Sequence, residues 1–502
     1  MSHVGFCDIC QKPASQRCGG CHEIFYCTKE HQKYGWKNHK KSCRPCKIAE
    51  DEFLGRYLLS TKSIKSGETI FKERPLIYGP CQVTVPVCLG CFKVIDENNN
   101  RPCSECGWPM CSDICQKNPS HLPECRYTVQ RGDKVSIRNF GMVHPIYQCV
   151  TVLRCLYQKQ FLPEIWTKLN KLESHDEERK NTAKYKNERV QVAEFIRRFF
   201  KLDQVFSEDD IMHVCGIIMV NSHEVPLSDP PYIAIYETCS MFEHRPPLGH
   251  TQQEAPSVRD EIFWCTCTRC SDPTEYGTYF SAMKCQERKC DGYSLPTTFL
   301  EKTDNTKNSD WKCNKCKKNI SCFSIQDVLE RLGSDLSEIV KDDPKSLKHF
   351  INSSSSYLHP NHYYLTEVRI ALVQLIGQDS RADVFTGVSD EDLNSKAANA
   401  GQLLNLLGVI APAERRLRGV LLFELHAAVA EMGRRSGTTF GETDVMHMRL
   451  IEAKQYLIDS IEFLKNEPSF LPEGQILKQA KHNLKNIDIV LQKIHESINN
   501  PH

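Results

Sequence analysis

The chain carries almost no net charge: 64 Lys and Arg stand against 63 Asp and Glu, a formal value of +1. That balance removes any whole-molecule argument for attraction to nucleic acid or to a membrane surface. Long apolar runs are also missing. None approaches the roughly 20 residues that a membrane span needs, so no transmembrane helix is expected. Met1 to Cys10 show no basic segment followed by an apolar stretch, so no secretory leader is expected. These absences together point to a soluble, intracellular protein. Its 502 residues suggest about three domains, with ample chain to bury a core.

What the chain does have is cysteine, 27 residues of it, mostly in tight clusters with His at short distances. In a reducing compartment, Cys pairs at such spacing are metal ligands rather than disulfides. The first cluster runs Cys7-x2-Cys10, Cys18-x2-Cys21, Cys27-x3-His31, His39-x3-Cys43. Zinc takes four N or S ligands in a tetrahedron, and a C-x2-C knuckle supplies two thiolates from one turn. Eight ligands make two closed sites. The expected pairing is interleaved: Cys7, Cys10, Cys27 and His31 on one ion, Cys18, Cys21, His39 and Cys43 on the other. Tyr34 and Trp36 fall on a lysine-rich expected helix over residues 28–43, with His39 and Cys43 on one face at i and i+4.

The second cluster repeats the order: Cys88-x2-Cys91, Cys103-x2-Cys106, Cys111-x3-Cys115, His121-x3-Cys125. Two further zinc ions are expected there. The third, Cys265-x-Cys267-x2-Cys270, offers three thiolates and needs a fourth ligand from elsewhere. The fourth, Cys285-x4-Cys290 with Cys313-x2-Cys316, has the form of a zinc ribbon. Cys46, Cys81, Cys149, Cys155, Cys215, Cys239 and Cys322 remain, and read as small core residues.

Between the clusters, residues 55–80 are rich in β-branched side chains, with a Gly67-Glu68 turn and a stop at Pro75, which predicts short strands. Residues 134–213 are mostly helical in pattern, with Ile146, Val150, Leu153 and Tyr157 marking one apolar face. The dense charge of 171–192 reads as a solvated helix surface. From residue 358 onward, helical spacing recurs in Leu421-Leu422-Leu425-Val429, Leu450-Leu457-Ile461-Leu464 and Leu477-Leu484-Leu491-Ile498. Breaks are expected at Gly408, Pro412, Gly437-Thr438, Pro468 and Pro472, and Ser353 to Ser356 is read as a loop. The result is an antiparallel helical stack.

The run YCTKEHQKYGWKNHKKSC in the first cluster resembles a MYND finger, with His31 where that family more often has Cys. The second cluster is similar to a further unit of the same kind. GRYLLSTKSIKSGETIFKERPLIYGP (55–80) resembles the opening strands of a SET domain, the lysine methyltransferase fold, and CGIIMVNSHEV (215–225) resembles its buried strand. The whole chain looks like a SET and MYND domain (Smyd) protein of the arthropod SmydA type. That resemblance implies an α+β multidomain fold: a MYND finger over 1–47; a SET domain over 48–264, with the second MYND-like cluster (88–125) and a helical insert (134–213); a post-SET and zinc-ribbon-like segment over 265–325; and an α-helical, TPR-like domain over 326–502.

The resemblance also implies a function. SET proteins transfer a methyl group from S-adenosylmethionine to protein lysine. Carry-over places Gly55, Arg56, Asn221 and His244 at the methyl donor, with Phe263 stacked on its adenine. Tyr57 stands where the family usually has a second glycine. After Glu243-His244 the family's Ser-Cys-x-Pro-Asn and its later Gly-Glu-Glu segment, bearing the catalytic tyrosine, are absent; only residues 245–262 separate His244 from Phe263. The lost Cys is the family's fourth ligand for the zinc at Cys265, Cys267 and Cys270, and Cys239 is the nearest substitute. Without the tyrosine and its loop, losses well beyond the roughly 10²–10³-fold of a single electrostatic contact are expected. The resemblance therefore points to a zinc-dependent, non-catalytic protein-interaction scaffold linked to repressive transcriptional regulation in nucleus and cytoplasm. The alternative is an active histone or protein-lysine methyltransferase. MYND fingers take short proline-rich peptides and do not read DNA. Lys29, Lys33, Lys37, Lys40 and Lys41 would offer a surface to acidic partners.

Overall fold

A computed structural model describes residues 5–40, 43–51, 55–65, 67–242, 268–269, 271–296, 311–378, 385, 387–436 and 443–499. The chain divides into two units, Met1–His244 and Arg245–His502.

The first unit opens with two strand pairs of two residues each, Gly5–Phe6 with Pro13–Ala14 and Gln16–Arg17 with Phe25–Tyr26. Ladders this short are not stable alone in water. The helix Lys29–His39 follows. It starts at Thr28, whose hydroxyl accepts the N–H of His31, and it carries Glu30 in its first turn and Lys37 in its last. Both charges oppose the helix dipole favourably. The expectation that Cys43 rides this helix is not met: the helix ends at His39, and Lys40 is its cap.

A hairpin, Cys46–Asp51 with Gly55–Ser60, comes next. A three-stranded antiparallel sheet then has Tyr232–Ile235 at its centre, between Ile77–Pro80 and Ser222–Val225. The helix Val150–Phe161 packs on this sheet and against the helices Leu122–Arg131 and Glu208–Asn221. One apolar face was the expectation for that helix. Every residue from Val150 to Gln158 is instead buried, because neighbours cover it on all sides. Residues 215–225 are not one buried strand. Cys215 to Asn221 complete the helix Glu208–Asn221, launched by a Ser207–Asp210 capping box, and only Ser222–Val225 is extended. The charged stretch 171–192 is not wholly solvated either. Arg179 and Glu188 form a buried ion pair, with the Arg179 Nη1 donating to the Met212 carbonyl. Cys149, Cys155 and Cys215 are core residues, whereas Cys46, Cys81, Cys239 and Cys322 are only half-buried.

The second unit begins its described part with a four-stranded meander, Met283–Lys284, Tyr293–Pro296, Trp311–Cys313 and Asn319–Ile320. Helices Cys322–Glu338, Pro344–Ser354, Tyr363–Leu375, Asp390–Ile410, Arg415–Ser436, Thr443–Leu464 and Pro472–Asn499 follow. The first three pack around Leu329, Leu347, Phe350 and Leu365, and the apolar stripes of the last five interlock around Leu403, Leu421, Leu425 and Leu457. Gly408 lies inside a helix rather than at a break; the chain turns at Ala411 and Pro412, where proline cannot extend the helix. Ser353 sits in the last turn of Pro344–Ser354. Among the described residues no helix is long and apolar enough to cross a membrane.

Candidate metal centres

Five sets of four side chains converge: Cys7, Cys10, Cys27 and His31; Cys18, Cys21, His39 and Cys43; Cys88, Cys91, Cys111 and Cys115; Cys103, Cys106, His121 and Cys125; and Cys285, Cys290, Cys313 and Cys316. Within each set the ligand atoms lie within 4.8 Å of one another. Cys10 and Cys27 sulfurs are 3.5 Å apart, Cys18 and Cys43 3.6 Å, Cys91 and Cys111 3.5 Å, and Cys290 and Cys313 3.7 Å. A disulfide needs about 2.05 Å. A tetrahedron with Zn–S bonds of about 2.3 Å has edges of roughly 3.8 Å. Nitrogen ligands sit correspondingly closer: the Nδ1 of His31 is 3.2 Å from Cys27, and the Nε2 of His39 is 3.3 Å from Cys21. The donor sets fit zinc.

The five C-x2-C knuckles among the described residues are built alike. The residue after the second Cys donates its N–H to the carbonyl of the first, as in Gln11 to Cys7 (2.8 Å), His22 to Cys18 (2.9 Å), Phe92 to Cys88 (2.7 Å), Gly107 to Cys103 (2.9 Å) and Lys317 to Cys313 (3.2 Å). Each of those five residues has a positive φ, although only one is glycine. Left-handed backbone at a bulky residue costs energy and persists only where the surroundings impose it. The knuckle imposes it to turn both sulfurs inward. At Gly90 the constraint is space: a Cβ would lie 2.8 Å from the Cβ and carbonyl oxygen of Cys115.

Each set also holds one thiol whose pKa is pushed down. Burial raises Cys7, but backbone hydrogen bonds and the His31 ring outweigh it and bring the thiol to about 5. Hydrogen bonds with Cys106 and His121 hold Cys125 at about 5 against burial. Burial raises Cys313, and backbone hydrogen bonds from Cys316 and Lys315 bring it down to about 7. Cys18 and Cys111 are also lowered, in each case against burial, by hydrogen bonds within the set. A thiolate is the form that binds metal.

Cys265, Cys267, Cys270, His244 and Phe263 lie outside the described residues. Cys239 stands in a short 3₁₀ turn, its N–H donating to Glu73 at 2.8 Å. Of the residues expected at the methyl donor, Gly55, Arg56 and Asn221 are described. Gly55 is exposed at the hairpin turn with φ +64°, and a Cβ there would meet nothing within 4 Å. The left-handed backbone at this turn favours glycine. Arg56 donates to the Lys171 carbonyl. Asn221 gives its amide hydrogens to the carbonyls of Glu173 at 2.7 Å and Ile217 at 2.8 Å.

Sequence reasoning missed one group. His121 turns its Nδ1 to Glu124 at 3.0 Å, and Glu124 is held by Arg154. The signal was present: Glu124 follows His121 by three residues, one helical turn on, between two ligands.

Residues 7–43 match the MYND finger family. The SET domain-containing protein SmydA-8, isoform A, of Drosophila melanogaster is 23% identical over 65% of this chain and 77% of its own length. Isoform B of that protein is also 23% identical, over 65% of this chain and 79% of its own length. The chain is thus similar to Smyd proteins over about two thirds of its length and carries a MYND finger at its start. A shorter likeness, 48% identity to Egl nine homolog 1 of Mus musculus, covers only 8% of this chain and 10% of that protein. MYND fingers are protein–protein interaction modules.

Proposed function

We propose that this chain is a zinc-dependent protein-interaction scaffold, built on a SET-type unit that no longer transfers methyl groups. The finger over 1–47 is the recognition element. Residues 48–264 form the SET-type unit, 265–325 the post-SET and ribbon segment, and 326–502 a TPR-like docking domain. The observation that carries this reading is the outer face of Lys29–His39. Tyr34 and Trp36 are exposed on its two flanks, with Lys29, Lys33, Lys37 and Lys40 between them, above two four-ligand sets that fasten the helix down. Exposed aromatic rings on a rigid platform suit extended proline-rich peptides, whose backbone is ordered before binding. The lysines add attraction for acidic flanks. Trp36→Ala is expected to weaken capture of such a peptide at least tenfold, read by fluorescence anisotropy. Equal affinity would place the peptide elsewhere.

The loss of methyl transfer is supported by the missing segments after His244 and by the occupied amide of Asn221. It fits a role in repressive transcriptional complexes, in nucleus or cytoplasm, in which the protein recruits partners without modifying lysine. Isothermal titration with S-adenosylmethionine tests it. No heat of binding at micromolar donor is expected; a micromolar dissociation constant would return the chain to the active methyltransferases.

A further inference from the structure

The chain has two Cys/His units with one ligand order, and they are built in differently. In residues 7–43, Cys7, Cys18 and Cys21 pack with Ala14 and Tyr26 in a small cluster of their own. In the second unit, Cys88, Cys103, Cys106 and Cys125 belong to the main core of Met1–His244, together with Trp108, Val150 and Leu153.

The join is polar at its centre. The Nε2 of His121 lies 3.3 Å from Cys106, and its Nδ1 lies 3.0 Å from Glu124 Oε1. Arg154 donates to both oxygens of Glu124, from Nε at 3.0 Å and from Nη2 at 2.6 Å. Arg154 also donates from Nη1 to the Tyr78 carbonyl at 2.8 Å and from Nη2 to the Leu89 carbonyl at 2.9 Å. Leu89 is the residue between Cys88 and Gly90 in the knuckle of the neighbouring metal set. His121, Glu124 and Arg154 are 1%, 0% and 2% exposed.

We propose that Glu124 and Arg154 are positioning residues that orient His121 for metal and tie both metal sites of the second unit to the core helix Val150–Phe161. The proposal rests on the zinc reading of these sets. A neutral imidazole that donates from Nδ1 must present the Nε2 lone pair to the ion. A buried carboxylate can do this only if its own charge is compensated, and Arg154 compensates it. The same guanidinium grips the Cys88–Cys91 knuckle, so metal order at one site stiffens the other. The second unit is thus a metal-dependent part of the core, whereas the first is a self-contained finger.

Zinc release from the full-length protein to a chromogenic chelator tests this. Metal content of the unaltered protein checks the zinc reading by itself; a folded, zinc-free protein would remove it. Glu124→Gln with Arg154→Met takes out both buried charges together, so neither is left unpaired. Release from the second unit is expected to accelerate roughly ten- to a hundredfold. Release from residues 7–43, assigned with Cys18→Ala, is expected to stay unchanged. In a His121→Cys background, where a thiolate needs no orienting partner, the same pair of changes is expected to have no effect. An unchanged rate in the first background, or equal acceleration in both, overturns the proposal. The cobalt-substituted form of the same double variant supplies a second readout: a shifted d–d band is expected, and an unshifted band also overturns the proposal.

Discussion

Cys18 is the residue at which chemistry and fold meet most closely in the first finger. Its sulfur is buried, 3.6 Å from Cys43, and shares a set with Cys21 and His39. The finger's ladders are two residues long and its apolar cluster is small. Metal bonds must therefore supply most of its folding energy. Cys18→Ala is expected to unfold residues 7–43 and so to release both zinc equivalents of the finger, while the core around Val150 persists. Metal analysis beside amide exchange would show this. Unchanged metal content and protection would mean that the ligand set is wrong. Spacing alone made this set legible, because a C-x2-C turn has one compact geometry. The Glu124–Arg154 pair was not legible. Arg154 is 30 residues beyond its partner, on a different helix, and nothing local distinguishes it from a surface arginine.

The helix Tyr363–Leu375 shows what a single cap contributes. His362 precedes it, and the His362 Nδ1 accepts the N–H of Tyr364 at 3.2 Å. A ring nitrogen can accept only while it carries no proton. The ring is fully buried, and burial lowers its pKa from 6.5 to about 3. The unfolded chain therefore takes up the proton first. The stabilisation is complete above about pH 6.5 and is lost progressively as pH falls toward 3. Between pH 6.5 and 5 the loss is on the order of 2 kcal/mol. His362→Asn keeps a capping acceptor that does not titrate. The variant is expected to lose less stability than the unaltered protein over that interval, measured by thermal unfolding of the helical signal. Parallel pH curves for the two proteins would remove His362 as the cause. Helical periodicity made the stack of the second unit legible. The cap was not, since a histidine before a tyrosine pair carries no recognised start signal.

For the whole molecule, the two units differ in what holds them. The described core of Met1–His244 contains metal-ligand cysteines as packing atoms. The stack from Asp390 to Asn499 closes on buried Leu, Val, Ala and Ile, flanked by Phe423, Met432 and Tyr456, and holds no cysteine. A strong chelator is expected to unfold most of the first unit and to leave this stack folded. Limited proteolysis after chelation would then yield a resistant fragment from the C-terminal third. Complete digestion would show that the stack depends on metal as well.

The sequence by itself determined which Cys and His residues gather into the five four-ligand sets and, in the first finger, in what pairing; it also determined that helices fill the last third, and which family the chain resembles. These follow from short-range rules: ligand spacing within a turn, apolar spacing along a helix, and motifs read residue by residue. Tertiary structure alone decided the rest. It buried Val150–Gln158 on every side, turned residues 215–221 from strand to helix, and took up the amide of Asn221 with backbone carbonyls. It also placed Arg154 beside Glu124. Each of these outcomes depends on partners distant in the chain, and a local pattern carries no information about what a fold will set against it.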